Sequence, residues 1–139
     1  MIVLDTNVLS EFMRVEPEAR VLAWVDAQPA MDLAVSTVTV AEILHGIARL
    51  PSGKCKQKLE AHAMAMFEED FTGRILPFDA HAAVEYATLT AGAEANGRAV
   101  SMADAQIAAI CRSHGAAIAT RNVRDFEFSG VEVIDPLMS

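Results

Sequence analysis

The sequence has little of what typifies a secreted, membrane-spanning or zinc-binding protein. Only two of its 139 residues are cysteines, Cys55 and Cys111. Two cysteines are too few for a disulfide framework or a zinc site, so we expect two buried free thiols. No stretch approaches the roughly 20 apolar residues that cross a bilayer, and Asp5 interrupts the N-terminal apolar run that a signal peptide needs. These absences predict a cytoplasmic protein that makes no contact with a membrane.

Positive charge is also scarce. Eleven lysines and arginines face 19 acidic residues, which gives a formal net charge of −8. Since contacts with phosphate dominate nonspecific affinity for nucleic acids, this chain is not expected to coat RNA or DNA indiscriminately. We interpret the lysines at positions 54, 56 and 58 as a solvated helix start. The histidines show no metal-ligand spacing and are expected at the surface or at helix ends: His45, His62, His81 and His114.

What is present is enough apolar sequence for one core. Hydrophobic residues make up 53% of the chain, and no repeat or flexible linker divides it, so residues 1–139 are expected to form a single domain. Short apolar runs predict strands at 2–4, 32–36, 74–76, 116–120 and 131–134. Apolar residues at helical spacing predict helices at 17–28, 39–50, 80–94 and 101–114, with another after Lys54. Strands that alternate with helices predict an α/β fold with a short parallel sheet of four to five strands flanked by helices.

Acidic and amide side chains recur where these elements begin or end. Asp5 follows the first strand, Glu42 and Asp104 lie in first turns of predicted helices, and Asn122 and Asp125 follow a later strand. Ligands of open parallel sheets collect at the carboxyl ends of the strands, so these side chains are expected to share one crevice. Crowded carboxylates repel one another unless a divalent cation lies between them. The pattern therefore predicts a metal site, and a metal site in an open cleft favours phosphate chemistry.

Helix capping is the alternative explanation for each acid taken singly. Residues 39–42 (TVAE) and 101–104 (SMAD) both match a capping box, in which a hydroxyl and a later acid satisfy free N–H groups at a helix start. Asp5 and Asn122 could likewise cap the segments that follow them. Capping does not predict, however, that all these side chains lie at one edge of the sheet. Their common location is what favours a shared metal site.

Four motifs carry a resemblance to a known family. They are residues 4–7 (LDTN), 39–43 (TVAEI) with Gly46 beyond, 103–108 (ADAQIA) and 119–126 (ATRNVRDF). In this order and spacing the chain resembles the PIN-domain ribonucleases, and more narrowly the VapC toxins of bacterial toxin–antitoxin pairs, in the branch that includes FitB. Members with four acids carry aspartate where this chain has Asn122. The resemblance therefore leaves open whether Asn122, Asp125 or a water held by either completes the coordination sphere.

The resemblance implies a metal-dependent endoribonuclease. Asp5, Glu42 and Asp104 would hold Mg²⁺ or Mn²⁺, and a water activated by the ion would attack the phosphodiester. Neighbouring side chains would orient the ligands or contact RNA phosphates: Thr6, Asn7 and Thr120 for the first role, and Arg121 and Arg124 for the second. The resemblance also implies an RNA substrate, a homodimer and a cognate antitoxin that blocks the site.

Two other classes of protein place acids at strand ends. A phosphatase of the haloacid dehalogenase type needs a second aspartate two residues after the first, where this chain has Asn7. A phospho-receiver module, which binds magnesium without catalysis, needs an acidic pair on the first loop and a late lysine, yet no lysine follows Lys58. Both alternatives therefore fit the sequence less well than a nuclease does.

Overall fold

Short parallel strands form the sheet that organises the fold. The computed structural model describes residues 1–138. The strands are β1 (Ile2–Leu4), β2 (Leu33–Ser36), β3 (Ile75–Leu76), β4 (Ala117–Ala119) and β5 (Val133–Ile134). They form one five-stranded sheet in the order β3-β2-β1-β4-β5, and each pair of neighbours is parallel. The predicted parallel sheet of four to five strands is confirmed.

Helices connect successive strands and cover the sheet. They are α1 (Thr6–Leu9), α2 (Ala19–Ala27), α3 (Thr37–Ala48), α4 (Lys54–Ala65), α5 (Ala80–Ala95) and α6 (Met102–His114). A π-helical turn, Met66–Asp70, extends α4, and 3₁₀ helices span Ser10–Met13, Ala30–Asp32 and Val123–Ser129. The sequence indicated α1 only through Asp5 as a possible helix cap, and it did not predict the 3₁₀ helix that follows, because elements this short show no hydrophobic period.

The central strands are buried on both faces. Val3 and Leu4 are both fully buried, and they belong to different core clusters because successive side chains of a strand point to opposite faces. One cluster includes apolar residues of α1 to α4, and the other includes residues of α5 and α6. Parallel strands covered on both sides are apolar throughout, which is why such short runs could be recognised in the sequence.

Two helix starts lie beside the site. The Ser101 hydroxyl accepts a hydrogen bond from the Asp104 N–H (3.1 Å) and caps α6, as predicted. The predicted cap at Thr39 is wrong: Ser36, the last residue of β2, accepts from the Thr39 N–H (3.0 Å) and caps α3. Helix α3 therefore begins at residue 37 rather than 39, which places Glu42 in its second turn.

Predictions about individual surface residues were mostly confirmed. The four histidines are exposed, and Lys54 and Lys58 are exposed at the start of α4. Cys111 is buried, but Cys55 is exposed, contrary to prediction, because α4 turns Ala63 and not its N-terminal end towards the core. Within the described part of the chain, every helix is too short or too polar to span a bilayer.

Candidate active site

The three central strands end at the edge of the sheet where the predicted site residues lie. Asp5 follows β1 directly, and Thr120 follows β4. The third strand, β2, leads through Ser36 into α3, which carries Glu42. Because β2 and β4 flank β1 and all three run parallel, their carboxyl ends lie side by side.

Asp5 is a buried carboxylate held by two hydrogen bonds. Asp5 is only 5% exposed. Oδ1 accepts from the Thr6 N–H (2.8 Å), so Asp5 does cap α1, and Oδ2 accepts from the Thr120 hydroxyl (2.8 Å). Its pKa is raised to about 6, mainly because burial disfavours the charged form. The hydrogen bonds from Thr120 and Thr6 lower the pKa, and the negative charges of Asp104 and Glu42 raise it further. Asp5 is therefore a helix cap, and it is also a member of an acidic cluster in which its negative charge is unfavourable.

A relay of hydroxyl groups orients Glu42. The Thr6 hydroxyl donates to Glu42 Oε1 (2.7 Å) and lies 2.9 Å from the Thr39 hydroxyl. Since the one proton of Thr6 goes to the carboxylate, Thr39 must donate to Thr6. Ser36 in turn donates to Thr39 (3.4 Å). Ser36 and Thr39 are completely buried, so the sequence motif around Glu42 serves chiefly to fix Thr6 and, through it, the carboxylate.

Asp104 joins the cluster from α6. Burial raises its pKa, and so do the charges of Asp125 and Glu42, while a hydrogen bond with Ser101 lowers it. Asp125 lies exposed in the 3₁₀ helix Val123–Ser129. Electrostatic coupling thus links Asp5 with Asp104 and Glu42, and Asp104 with Asp125; that these acids form one metal site stays a prediction.

Asn122 lies next to this cluster, but its side chain does not form the predicted cap. It precedes the 3₁₀ helix without a side-chain capping bond. Its backbone N–H donates to the Thr120 hydroxyl oxygen (3.1 Å), and its carbonyl accepts from the Asp125 N–H (3.0 Å). Asn122 therefore shapes the loop after β4 through its backbone. A role for its side chain, or for Asp125, as a ligand stays a prediction.

The donor set fits a hard cation in chemistry more than in spacing. Carboxylate oxygens are the ligands that Mg²⁺ and Mn²⁺ prefer, and a cation would relieve the repulsion that helps raise the pKa of Asp5 and Asp104. In residues 1–138, however, no group of three or more His, Cys, Asp or Glu side chains forms an arrangement that could hold an ion directly. An ion here would have to reach some carboxylates through water, as Mg²⁺ commonly does, or side chains would have to rotate.

Asn7 and Thr120 support the buried carboxylate from the β4 side. Asn7 Nδ2 donates to the Thr120 hydroxyl oxygen (3.2 Å), and Asn7 Oδ1 accepts from the Arg121 N–H (3.0 Å). Thr120 Oγ1 accepts from two N–H groups and donates its single proton to Asp5. Thr6 and Thr120 thus bond Glu42 and Asp5 directly, whereas Asn7 acts only through Thr120; that they orient metal ligands stays a prediction.

The two predicted phosphate-binding arginines differ in their surroundings. Arg121 Nη1 contacts Glu11 Oε2 at 2.8 Å, and its side chain is 30% exposed. Arg124 is exposed, and among residues 1–138 its side chain forms no ion pair. Sequence reasoning missed Glu11, which is 2% exposed. A signal was available, since this acid is the only charged residue in the mostly apolar stretch 8–13 (VLSEFM).

The raised pKa of Asp5 predicts how the stability of the metal-free protein depends on pH. Asp5 has a folded-state pKa of about 6 against an ordinary 3.8, so between these values the folded state binds more protons than the unfolded state. The free energy of unfolding should therefore fall as pH rises through this window, by about 3 kcal/mol. Urea unfolding in EDTA between pH 4.5 and 7.5 would capture about 2 kcal/mol of this decline, because the scan starts above the ordinary pKa of 3.8.

The matched control for this experiment is Asp5→Ala, in which the decline should largely disappear. The lowered pKa of Glu11 contributes stability that is lost only below its ordinary 4.5, outside this range. A wild-type stability that is constant or rises from pH 4.5 to 7.5 would contradict the assigned environment of Asp5.

Comparison with known proteins identifies close relatives. The family model described as "PIN domain" matches residues 2–131. VapC ribonuclease Y4jK of Sinorhizobium fredii is 43% identical, over 98% of this chain and 97% of the relative. Toxin FitB of Neisseria gonorrhoeae is 40% identical, over 98% of each. The crystal structure of FitAcB from Neisseria gonorrhoeae matches with a TM-score of 0.91 at 39% identity and covers 100% of both chains.

Proposed function

Since this chain belongs to the PIN-domain family, we propose that it is a metal-dependent endoribonuclease and the toxin of a bacterial toxin–antitoxin pair. The observation that carries the proposal is the acidic cluster: within residues 1–138, no lysine, arginine or histidine forms an ion pair with Asp5, Glu42 or Asp104. Acids kept together without a cationic partner favour a bound cation. The names of the relatives, VapC ribonuclease and Toxin FitB, support the same activity.

The chain's own residues prepare three carboxylates for Mg²⁺ or Mn²⁺. Each oxygen of Asp5 accepts one hydrogen bond, which leaves a lone pair on each for a ligand. Glu42 uses Oε1 to accept from Thr6, so its other oxygen is available. Asp104, which lies in the first turn of α6, is electrostatically coupled to Glu42 and would supply the third carboxylate. When bound, the ion supplies a more acidic water and neutralises charge that develops on the phosphate.

RNA would approach from the exposed side of this cluster. Glu42, Asn122, Arg124 and Asp125 are all exposed, and the Arg124 guanidinium can make bidentate contact with a flanking phosphate. The net charge of −8 means that the cation and this arginine must receive the polyanion locally. We propose Arg124, rather than the engaged Arg121, as the direct phosphate contact.

The antitoxin partner, the homodimer and the cytoplasmic location are proposed on the same family basis. For the phosphatase alternative, an acid is needed at position 7, and the Asn7 side chain is instead committed to hydrogen bonds with Arg121 and Thr120. No observation favours the receiver module over the nuclease.

Brief expression in bacteria of wild type and of Asp5→Ala, followed by sequencing of RNA 5′ ends, tests the proposed function. Wild type should create new 5′ ends at defined sites, and the variant should create none, because its metal site lacks the central carboxylate. Purified wild type should cut the same RNA with Mg²⁺ or Mn²⁺ and stop when EDTA is added. Identical ends from both proteins, or cleavage that persists in EDTA, would contradict the proposal.

A further inference from the structure

Glu11 is a buried carboxylate outside the acidic cluster. It lies in the 3₁₀ helix Ser10–Met13 and is 2% exposed. Oε1 accepts from the Glu18 N–H (2.8 Å), and Oε2 accepts from Arg121 (2.8 Å) and Arg14 (3.1 Å). Burial favours the neutral form, but these bonds and the two positive charges outweigh it and lower the pKa of Glu11. A buried charge held this way serves as a fixed anchor for its partners.

Arg121 contacts residues near the N-terminus through both its side chain and its backbone. Its guanidinium contacts Glu11, and its backbone N–H donates to Asn7 Oδ1 (3.0 Å). From Asn7 the contacts continue to the Thr120 hydroxyl (3.2 Å) and from there to Asp5 Oδ2 (2.8 Å). An unbroken set of polar contacts thus runs from the Glu11 carboxylate to the carboxylate at the centre of the site.

The position of the Arg121 guanidinium argues against direct contact with the carboxylates of the acidic cluster. The Arg121 guanidinium bonds Glu11 Oε2 at 2.8 Å, and within residues 1–138 it forms no ion pair with Asp5, Glu42 or Asp104. Its charge is therefore engaged with Glu11 rather than with the acidic cluster. Its backbone, by contrast, directly follows Thr120, which bonds Asp5.

We propose that Glu11 is a positioning residue for the metal site: by fixing Arg121 it holds the segment after β4 against Asn7, so that Thr120 fixes the Asp5 carboxylate that would bind the cation. This inference rests on the proposed function, because it assumes that Asp5 binds a metal. Groups that orient metal ligands through hydrogen bonds typically change metal affinity by about 10- to 100-fold when removed. Here the effect passes through several contacts, so we expect the lower end of that range.

Mn²⁺ affinity, measured by electron paramagnetic resonance of the free ion, tests the proposal without any turnover. Glu11→Gln and Arg121→Gln should each weaken Mn²⁺ binding by about 10-fold, and the double variant should bind no more weakly than either single one, since both break the same linkage. Arg14→Gln is the matched control: it removes a cation from the same carboxylate, but Arg14 is 57% exposed and has no contact with Asn7 or Thr120. Its Mn²⁺ affinity should equal that of wild type.

RNA binding separates positioning from direct phosphate contact. In an Asp104→Asn background, Arg121→Gln should leave the salt dependence of RNA affinity unchanged. A slope of log affinity against log salt that is smaller by about 1 would make Arg121 a phosphate ligand and would overturn the proposal. So would an increase in RNA affinity on Glu11→Gln, which would mean that Glu11 sequesters the arginine.

Failure of the positioning role and failure of the proposed function give different results. If wild type binds Mn²⁺ and cuts RNA while Glu11→Gln and Arg121→Gln bind Mn²⁺ as wild type does, only the positioning role is overturned. If wild type neither binds Mn²⁺ nor cuts RNA, the proposed function is overturned as well. Should Glu11→Gln fail to fold, the comparison of Arg121→Gln with Arg14→Gln decides, because both arginines are partly exposed.

Discussion

Asp104→Asn is expected to lower RNA cleavage by about 10³-fold while leaving the metal-free protein at least as stable as wild type. The substitution removes a negative charge that raises the pKa of Asp5, so it relieves repulsion within the cluster. The Ser101 cap of α6 uses the Asp104 backbone N–H and survives. Single-turnover cleavage with Mg²⁺ and urea unfolding in EDTA would measure the two effects.

Asp5→Asn provides the contrast, because it should lose both activity and stability. Thr120 Oγ1 already accepts N–H groups from Asn7 and Asn122, so its proton must go to Oδ2 of Asp5. An amide nitrogen at that position would set donor against donor, at a cost of about 1–3 kcal/mol.

If Asp104→Asn instead destabilised the protein by about 1 kcal/mol, as a lost cap does, repulsion would not be its dominant effect. If the Asp104→Asn variant cleaved RNA at the wild-type rate, the assignment of Asp104 to the active site would be refuted.

Phe126→Ala is expected to destabilise the protein by about 3–5 kcal/mol, as is typical when a buried phenylalanine is truncated. Phe126 is 1% exposed and belongs to the core cluster that includes α6. It follows Asp125 in the 3₁₀ helix Val123–Ser129, so it anchors the segment that carries this acid. Urea unfolding at pH 7 would measure the change.

Phe128→Ala is the matched control for Phe126→Ala. Phe128 lies in the same 3₁₀ helix but is only partly buried, with its ring beneath the Arg98 guanidinium (6.0 Å). It should lose less than half as much stability, since less apolar area returns to water. Equal losses for the two variants would mean that Phe126 is not the anchor of this segment.

The sheet could be predicted from the sequence because its strands lie under helices on both faces and are therefore apolar throughout. The residue at which α3 begins could not be predicted from the sequence. Residues 36–39 (STVT) offer three hydroxyl groups, each able to cap a helix. Which one does so depends on where β2 ends, and Ser36 is both the last residue of that strand and the cap. Pairing between strands therefore decided a local boundary that propensity left open.

The candidate site also has features that the sequence could predict and features that it could not. Asp5, Glu42 and Asp104 could be placed at one edge because each lies at a fixed position relative to a strand or helix that the sequence reveals. The contacts that hold them could not, because they join distant parts of the chain, such as Glu11 with Arg121 and Thr6 with Glu42. Such pairs leave no periodic signal, and only the folded backbone brings them together.

The hydrogen bond from Thr120 to Asp5 joins residues 115 positions apart. During translation, Asp5 leaves the ribosome long before its partner is made, and β1 cannot complete its pairing with β4 until then. A nascent chain therefore lacks an organised reaction centre through most of its synthesis. The order in which the polypeptide is made therefore delays assembly of the acidic cluster until the protein is nearly whole.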